Sequence, residues 1–350
     1  MGVMAMKGLL WKEWTQNRWY FLLAFLALGL QPSWGALNYG INQQGNIAIA
    51  WAFGIKQILV AGSSAMETTA MVVAVFLAAL MLTGERGNGL NYLVTTPVSR
   101  REIIISKFIG GSLALIIIMF LISLSFIVAI KWYPAGYKVS EVINWSVITT
   151  LALLCLFSLG LWVASFTQGI VIVTLITAVI MALPWIFISM ATQVYGQYYL
   201  LSASLELKLR YLQTYFFIPN YISREGYFIA SSHGGLITGG ANAPFYPLEI
   251  TVLVLISGFC LWGAIKMLER NPLESPGEIL LWGSFRQIGM ILIALLNAIL
   301  WAAKIASTPG WYVVYFFALW LGIYFLLYAV SWAGGWLIGK AGLDFRNYRG

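Results

Sequence analysis

The sequence predicts an all-α polytopic membrane protein, and three observations carry that prediction. Only 9% of the 350 residues are charged and 61% are hydrophobic, against about 25% and about 45–50% in soluble domains. The apolar residues fall in runs of about 20, the length a helix needs to cross roughly 30 Å of hydrocarbon. Aromatic residues reach 15%, which excludes a disordered chain. The net charge of +8 requires no nucleic acid, because membrane proteins gather Lys and Arg on the cytoplasmic side.

About eight transmembrane helices are expected, near residues 19–37, 68–82, 108–130, 145–166, 170–190, 249–267, 288–305 and 311–338. An even number puts both termini on one side. With the N-terminus inside, Lys7, Lys12, Arg18, Arg86, Arg100, Arg101, Lys107, Lys266, Arg270, Arg286, Lys340, Arg346 and Arg349 fall inside. Short outer loops then hold only Lys56, Lys131, Lys138 and Lys304. That asymmetry predicts cytoplasmic N- and C-termini, with residues 341–350 as a cytoplasmic tail. The first run has a passable signal-peptide shape, with Ser33, Trp34 and Gly35 after it. Removing it would leave seven spans and set the Arg100–Arg101 loop against its neighbours.

Residues 1–18 precede the first span. Met6, Leu10 and Trp14 recur at helical spacing with Lys7, Lys12 and Glu13 between them. A short interfacial helix would hold the Trp rings at headgroup depth and the Lys groups in water; a basic tail is the alternative. Residues 191–248 form the one long connection, expected as a small helical extracellular cap. Within it Leu201, Leu205, Leu209, Leu212 and Phe216 mark an amphipathic helix, followed by a glycine-rich loop around His233. Residues 249–340 carry the remaining spans.

Chemistry-bearing residues are sparse. Cys155 and Cys260 fall inside apolar runs and read as buried free thiols. Glu67, Glu249, Lys131 and Lys304 stand at outer span ends, where they can reach the interface; the spans then hold almost no buried charge, against ion-coupled transport. Asn297 and Gln287 read as helix–helix contacts, and Pro184 as a kink. No phosphate-binding Gly-x-x-x-x-Gly-Lys loop occurs, and His233 is the single histidine, so a Ser-His-Asp triad or histidine metal site in the membrane lacks parts. No catalytic, cofactor-binding or metal site is expected in this chain.

The loop at 83–107 is the most informative. It contains Glu85, Arg86, Thr96, Pro97, Ser99, Arg100, Arg101 and Glu102. Pro97 turns the residue before it away from helix, and Ser99 can cap a new helix, with Glu102 three residues on as in a capping box. Such a helix start with paired Arg offers a rigid surface to another protein. The plainer alternative is a charged loop that only enforces topology.

The run from Leu93 to Ile103, with Glu85, Arg86 and Gly87 before it and Lys107, Gly110 and Gly111 after it, resembles the corresponding connection of ABC-2 type permeases. The stretch from Lys7 to Trp14 resembles that family's elbow helix, and the turn from Ser165 to Gly169 is similar in kind. Together these pieces cover most of residues 6–190. The resemblance implies a transmembrane subunit that pairs with a second permease, the same or a related chain, and with a dimer of cytoplasmic ABC ATPases holding ATP and Mg. It implies that Glu85, Arg86, Thr96, Pro97, Ser99, Arg100, Arg101 and Glu102 form the ATPase-coupling interface. Family members commonly have six spans, so the last two depart from the pattern. The expected protein is a non-enzymatic permease of a bacterial plasma-membrane exporter, for an amphiphilic or lipid-like substrate. The alternatives are a membrane-embedded enzyme and a signalling subunit that transmits ATPase movement without transport.

Overall fold

A computed structural model describes residues 2–44, 55–56, 58–59, 64–83, 99–132, 137–167, 169–198, 205, 208–209, 212, 215–223, 228–230, 236–238, 246–270, 283–306 and 308–340. Its long elements are helices: α1 Gly2–Gln44, α2 Ser64–Thr83, α3 Arg100–Trp132, α4 Val139–Phe166 and α5 Ile170–Tyr198. The short α6 Asn220–Ser223 and strands β1 Phe228–Ala230 and β2 Leu236–Thr238 follow, then α7 Tyr246–Arg270, α8 Gly283–Ile305 and α9 Pro309–Lys340. Among the described residues six helices are long and apolar enough to cross a membrane: α2, α3, α4, α5, α7 and α9. The other two expected spans are the apolar half of α1 and the shorter apolar stretch Met290–Ala302 in α8.

The chain forms two units. The first comprises Met1–Trp185 and Arg210–Leu281, with α4 at its centre, packed against α2, α3 and α7. Its helices approach closely where a small residue faces a large one. A Cβ on Gly160 would stand 2.8 Å from the Ala78 Cβ, and one on Gly263 would stand 2.7 Å from Trp162 Nε1; Gly111 faces the Phe157 ring in the same way. Without a hydrophobic drive between helices in lipid, close packing supplies the attraction. Polar contacts add to it: Ser123 donates to Ser146 across α3 and α4 at 2.7 Å. Tyr137 closes the α3–α4 connection by donating to the Phe126 carbonyl at 3.1 Å, and burial pushes its phenol up to about 12. Between α4 and α5 the chain turns within three residues at Gly169, whose φ of 90° favours glycine.

The second unit comprises Ile186–Leu209 and Trp282–Gly350. There α8 presents Met290, Ala294, Ala298 and Ala302, four residues apart and buried, and packs on α9. Tyr198 joins it by donating to the Ala306 carbonyl at 3.1 Å and by an edge contact to Tyr312.

Several expectations change. Residues 2–18 form the first turns of α1, which runs unbroken into the first span. No Gly or Pro interrupts residues 9–28. Leu9, Glu13, Asn17, Phe21, Ala24 and Leu28 make one continuous buried stripe, so the polar and apolar halves share a packing face. The helix α5 extends to Tyr198, eating into the expected outer segment, and continues through Pro184. In the 191–248 connection, the described residues Leu205, Lys208, Leu209, Leu212, Tyr215 and Phe216 are helical, and β1 pairs antiparallel with β2 where only a loop was expected. Glu249, expected to reach the interface, is 2% exposed, while Lys304 is exposed and lies 5.1 Å from the Trp301 ring centre. Asn297 bonds its own helix at the Ile293 carbonyl, 2.8 Å away, because its side chain faces outward. Both cysteines are free and buried, as expected. His233 lies outside the described residues.

Candidate coupling interface

One end of the first unit gathers the polar residues that the sequence singles out. The helix α3 starts there with a complete capping box. The Ser99 N–H donates to Glu102 Oε2 at 2.9 Å, and the Glu102 N–H donates to Ser99 Oγ at 3.2 Å. Two N–H groups that a helix start leaves without partners are thus satisfied reciprocally. The expected cap is present, and it makes α3 begin at a defined residue.

The paired arginines behave differently. Arg100 Nη1 donates to the Leu268 carbonyl at 3.4 Å, a last-turn acceptor of α7 with no partner further along its helix. A cation at a helix C-terminus also meets the negative end of the helix dipole. Arg100 therefore ties the start of α3 to the end of α7. Arg101 is exposed. On α7 the exposed pair Lys266–Glu269 lies nearby in sequence, at 3.1 Å.

Two turns further along α3 stands a fully buried ion pair. Lys107 Nζ donates to Glu13 Oε1 at 2.9 Å, with the two side chains 0% and 1% exposed. Asn17 Nδ2 donates to the other carboxylate oxygen, Glu13 Oε2, at 3.0 Å and to the Glu13 carbonyl at 3.0 Å. Burying a charge is tolerated only when it is paired and hydrogen-bonded, and here both carboxylate oxygens accept. Gly110 lies against Glu13 at this level, where an added Cβ would make ordinary contact with the Glu13 Cβ at 3.5 Å.

Around the pair the register of α1 on α3 is regular. Leu9 clusters with Ile103, Glu13 binds Lys107, and Gly29 faces Ile122. Both helices therefore run the same way, side by side. Of the expected interface residues, Ser99, Arg100, Arg101 and Glu102 come together at this end; Glu85, Arg86, Thr96 and Pro97 lie outside the described residues. Sequence reasoning missed the link between Glu13 and Lys107. The available signal was a Glu and an Asn at i and i+4 on the stripe that continues as Phe21, Ala24 and Leu28, a buried face that demands a partner.

The architecture defines a multi-pass α-helical membrane protein, with the start of α3, the end of α7 and the buried Glu13–Lys107 pair gathered at one end of its first unit. The model of the ABC-2 family transporter proteins matches residues 22–261, more than half of the chain. The chain belongs to that family and is a permease of the ABC transporter type. The match ends within α7, so α8 and α9 lie beyond it. No curated protein matches the chain.

Proposed function

We propose that this permease is the membrane subunit of an ATP-driven exporter in a bacterial plasma membrane, powered by a separate dimer of ABC ATPases that binds ATP and Mg. The capped start of α3 carries the reading: Ser99 and Glu102 hold a rigid helix end, and Arg101 stands exposed on it. A rigid end transmits a push along the helix axis, whereas a frayed one absorbs it. Glu85, Arg86, Thr96 and Pro97 complete this coupling interface, which faces the cytoplasm together with both termini. Lys107, Arg100 and Lys266 at the same end suit that orientation under the positive-inside rule. A second permease, the same or a related chain, completes the transporter.

An amphiphilic or lipid-like substrate suits the walls of the bundle. An open groove of about 390 Å³ between α1 and α2 is lined almost wholly by apolar groups, among them Leu23, Ala27, Val72, Phe76 and Leu80.

The test is co-purification with the cognate ATPase from bilayer nanodiscs, followed by Arg101→Glu. Arg101 is the cleaner probe because Arg100 also holds the Leu268 carbonyl. The expected outcome is a folded permease whose ATPase partner dissociates or loses its dependence on the permease. Unaltered assembly together with unaltered coupling removes the interface from Arg101.

A further inference from the structure

We infer that Glu13 and Lys107 are positioning residues: their buried pair fixes the register of α1 on α3, so that movement received at Ser99–Glu102 reaches the first helix without slip. The inference rests on the permease reading above. Its physical basis is independent of that reading. The contacts of Leu9 with Ile103 and of Gly29 with Ile122 along this seam are apolar and non-directional. Apolar side chains recur at helical spacing, so such contacts alone separate registers one turn, about 5.4 Å, apart less sharply than a charge pair does.

A single buried charge pair does not accept it. Slipped by one turn, both charges would lie buried without their partner, a far more costly state than any loss of apolar contact. Asn17 reinforces the selection, because it holds the second carboxylate oxygen from α1 itself and leaves Oε1 for Lys107. A buried polar group that specifies register at the expense of stability is the best-attested use of such pairs. The position also fits the task. Lys107 lies on the same helix as the capping box, two turns in, so the stretch between them is continuous α-helix. A displacement of the capped end therefore arrives at Lys107 undiminished, and Glu13 carries it into a helix of about 65 Å.

The test uses the full chain in nanodiscs with nitroxide labels at two exposed positions, Trp11→Cys and Ile109→Cys. Three backgrounds are compared: the native pair, the apolar pair Glu13→Leu/Lys107→Met, and the reversed pair Glu13→Lys/Lys107→Glu. The apolar pair matters because it removes the charges without leaving one stranded, so it folds. Native and reversed pairs should give one narrow distance; the apolar pair should give a second population displaced by about 5 Å, one helical turn.

The same three backgrounds are then assembled with the cognate ATPase, and the apolar pair alone should lose permease-dependent ATP turnover. A single narrow distance in the apolar pair overturns the register lock. A displaced population with unchanged ATP turnover overturns its role in transmission. An ATPase that binds none of the three, the native pair included, strikes the permease reading instead and leaves the distance result to decide the lock.

Discussion

The helices α4 and α9 are similar in length and in apolar character, yet they solve opposite problems. In the most apolar stretch of α4, 72% of the residues are buried by its own unit; in that of α9 none is. The difference lies in which residues sit at the helix contacts. The central helix carries Gly160 against Ala78, Trp162 against Gly263 and Phe157 against Gly111, so large and small residues interlock on several sides. Among the described residues the last helix packs chiefly on α8, which buries Ala294, Ala298 and Ala302, with a further edge contact from Tyr198 to Tyr312. Phe317, Leu321, Phe325 and Leu326 remain exposed. Hydropathy alone does not separate a helix that builds a bundle from one that borders it; the distribution of small residues does.

Substitutions in each region should sharpen that contrast. The largest effect belongs to the first unit. Lys107→Met leaves the Glu13 carboxylate buried without its cation, and unfolding in bicelles should show a loss of about 3–5 kcal/mol. The apolar double variant Glu13→Leu/Lys107→Met should recover most of it.

A smaller effect is expected on the alanine seam. Ala298→Leu inserts extra volume into a close helix contact, which costs about 1–3 kcal/mol, and the damage should stay within the second unit. Protease accessibility of α8 and α9 should rise while labels on α1 and α3 keep their native distance. The smallest effect belongs to the open face of α9. Phe325→Leu exchanges one exposed apolar group for another, and stability should change by less than about 0.5 kcal/mol. A loss above 2 kcal/mol there would mean that α9 is covered, and the contrast with α4 would fail.

Much of this architecture is legible in the sequence for a simple reason. Crossing a bilayer requires length and apolarity, both of which are local, so the positions of the spans follow from composition along the chain. The capping box is legible too, because Ser99 and Glu102 lie three residues apart and need no distant partner. What local reading loses is pairing across the fold. Glu13 reads as an interfacial charge until its partner, 94 residues away, is known. With Lys7 and Lys12 beside it, the stretch looked like a helix lying flat at the headgroups. The buried stripe from Leu9 to Leu28 shows it continuous with the first span and packed on α3. Glu249 follows the same logic: a carboxylate at a span end reads as water-seeking, and only tertiary packing buries it. Burial, and then the charge of Glu249, raise the phenol pKa of Tyr221. Asn297 is the converse case, a polar residue that the sequence sends to a helix contact and the fold turns outward to bond its own backbone.

The same comparison bears on function. The family match covers the region built around α4 and stops within α7, before α8 and α9. The capped start of α3, Lys107 and most of the apolar groove lie within that matched stretch, while Glu13 precedes it in the same unit. In the proposed transporter, force enters at the start of α3. A photo-crosslinking amino acid placed at position 101, and separately at position 325, tests this most directly in the permease purified with its cognate ATPase. Position 101 should capture the ATPase subunit and position 325 should not. Capture at position 325 with none at position 101, from a complex that stays intact, would contradict the assignment of the α3 start as the place where the ATPase acts.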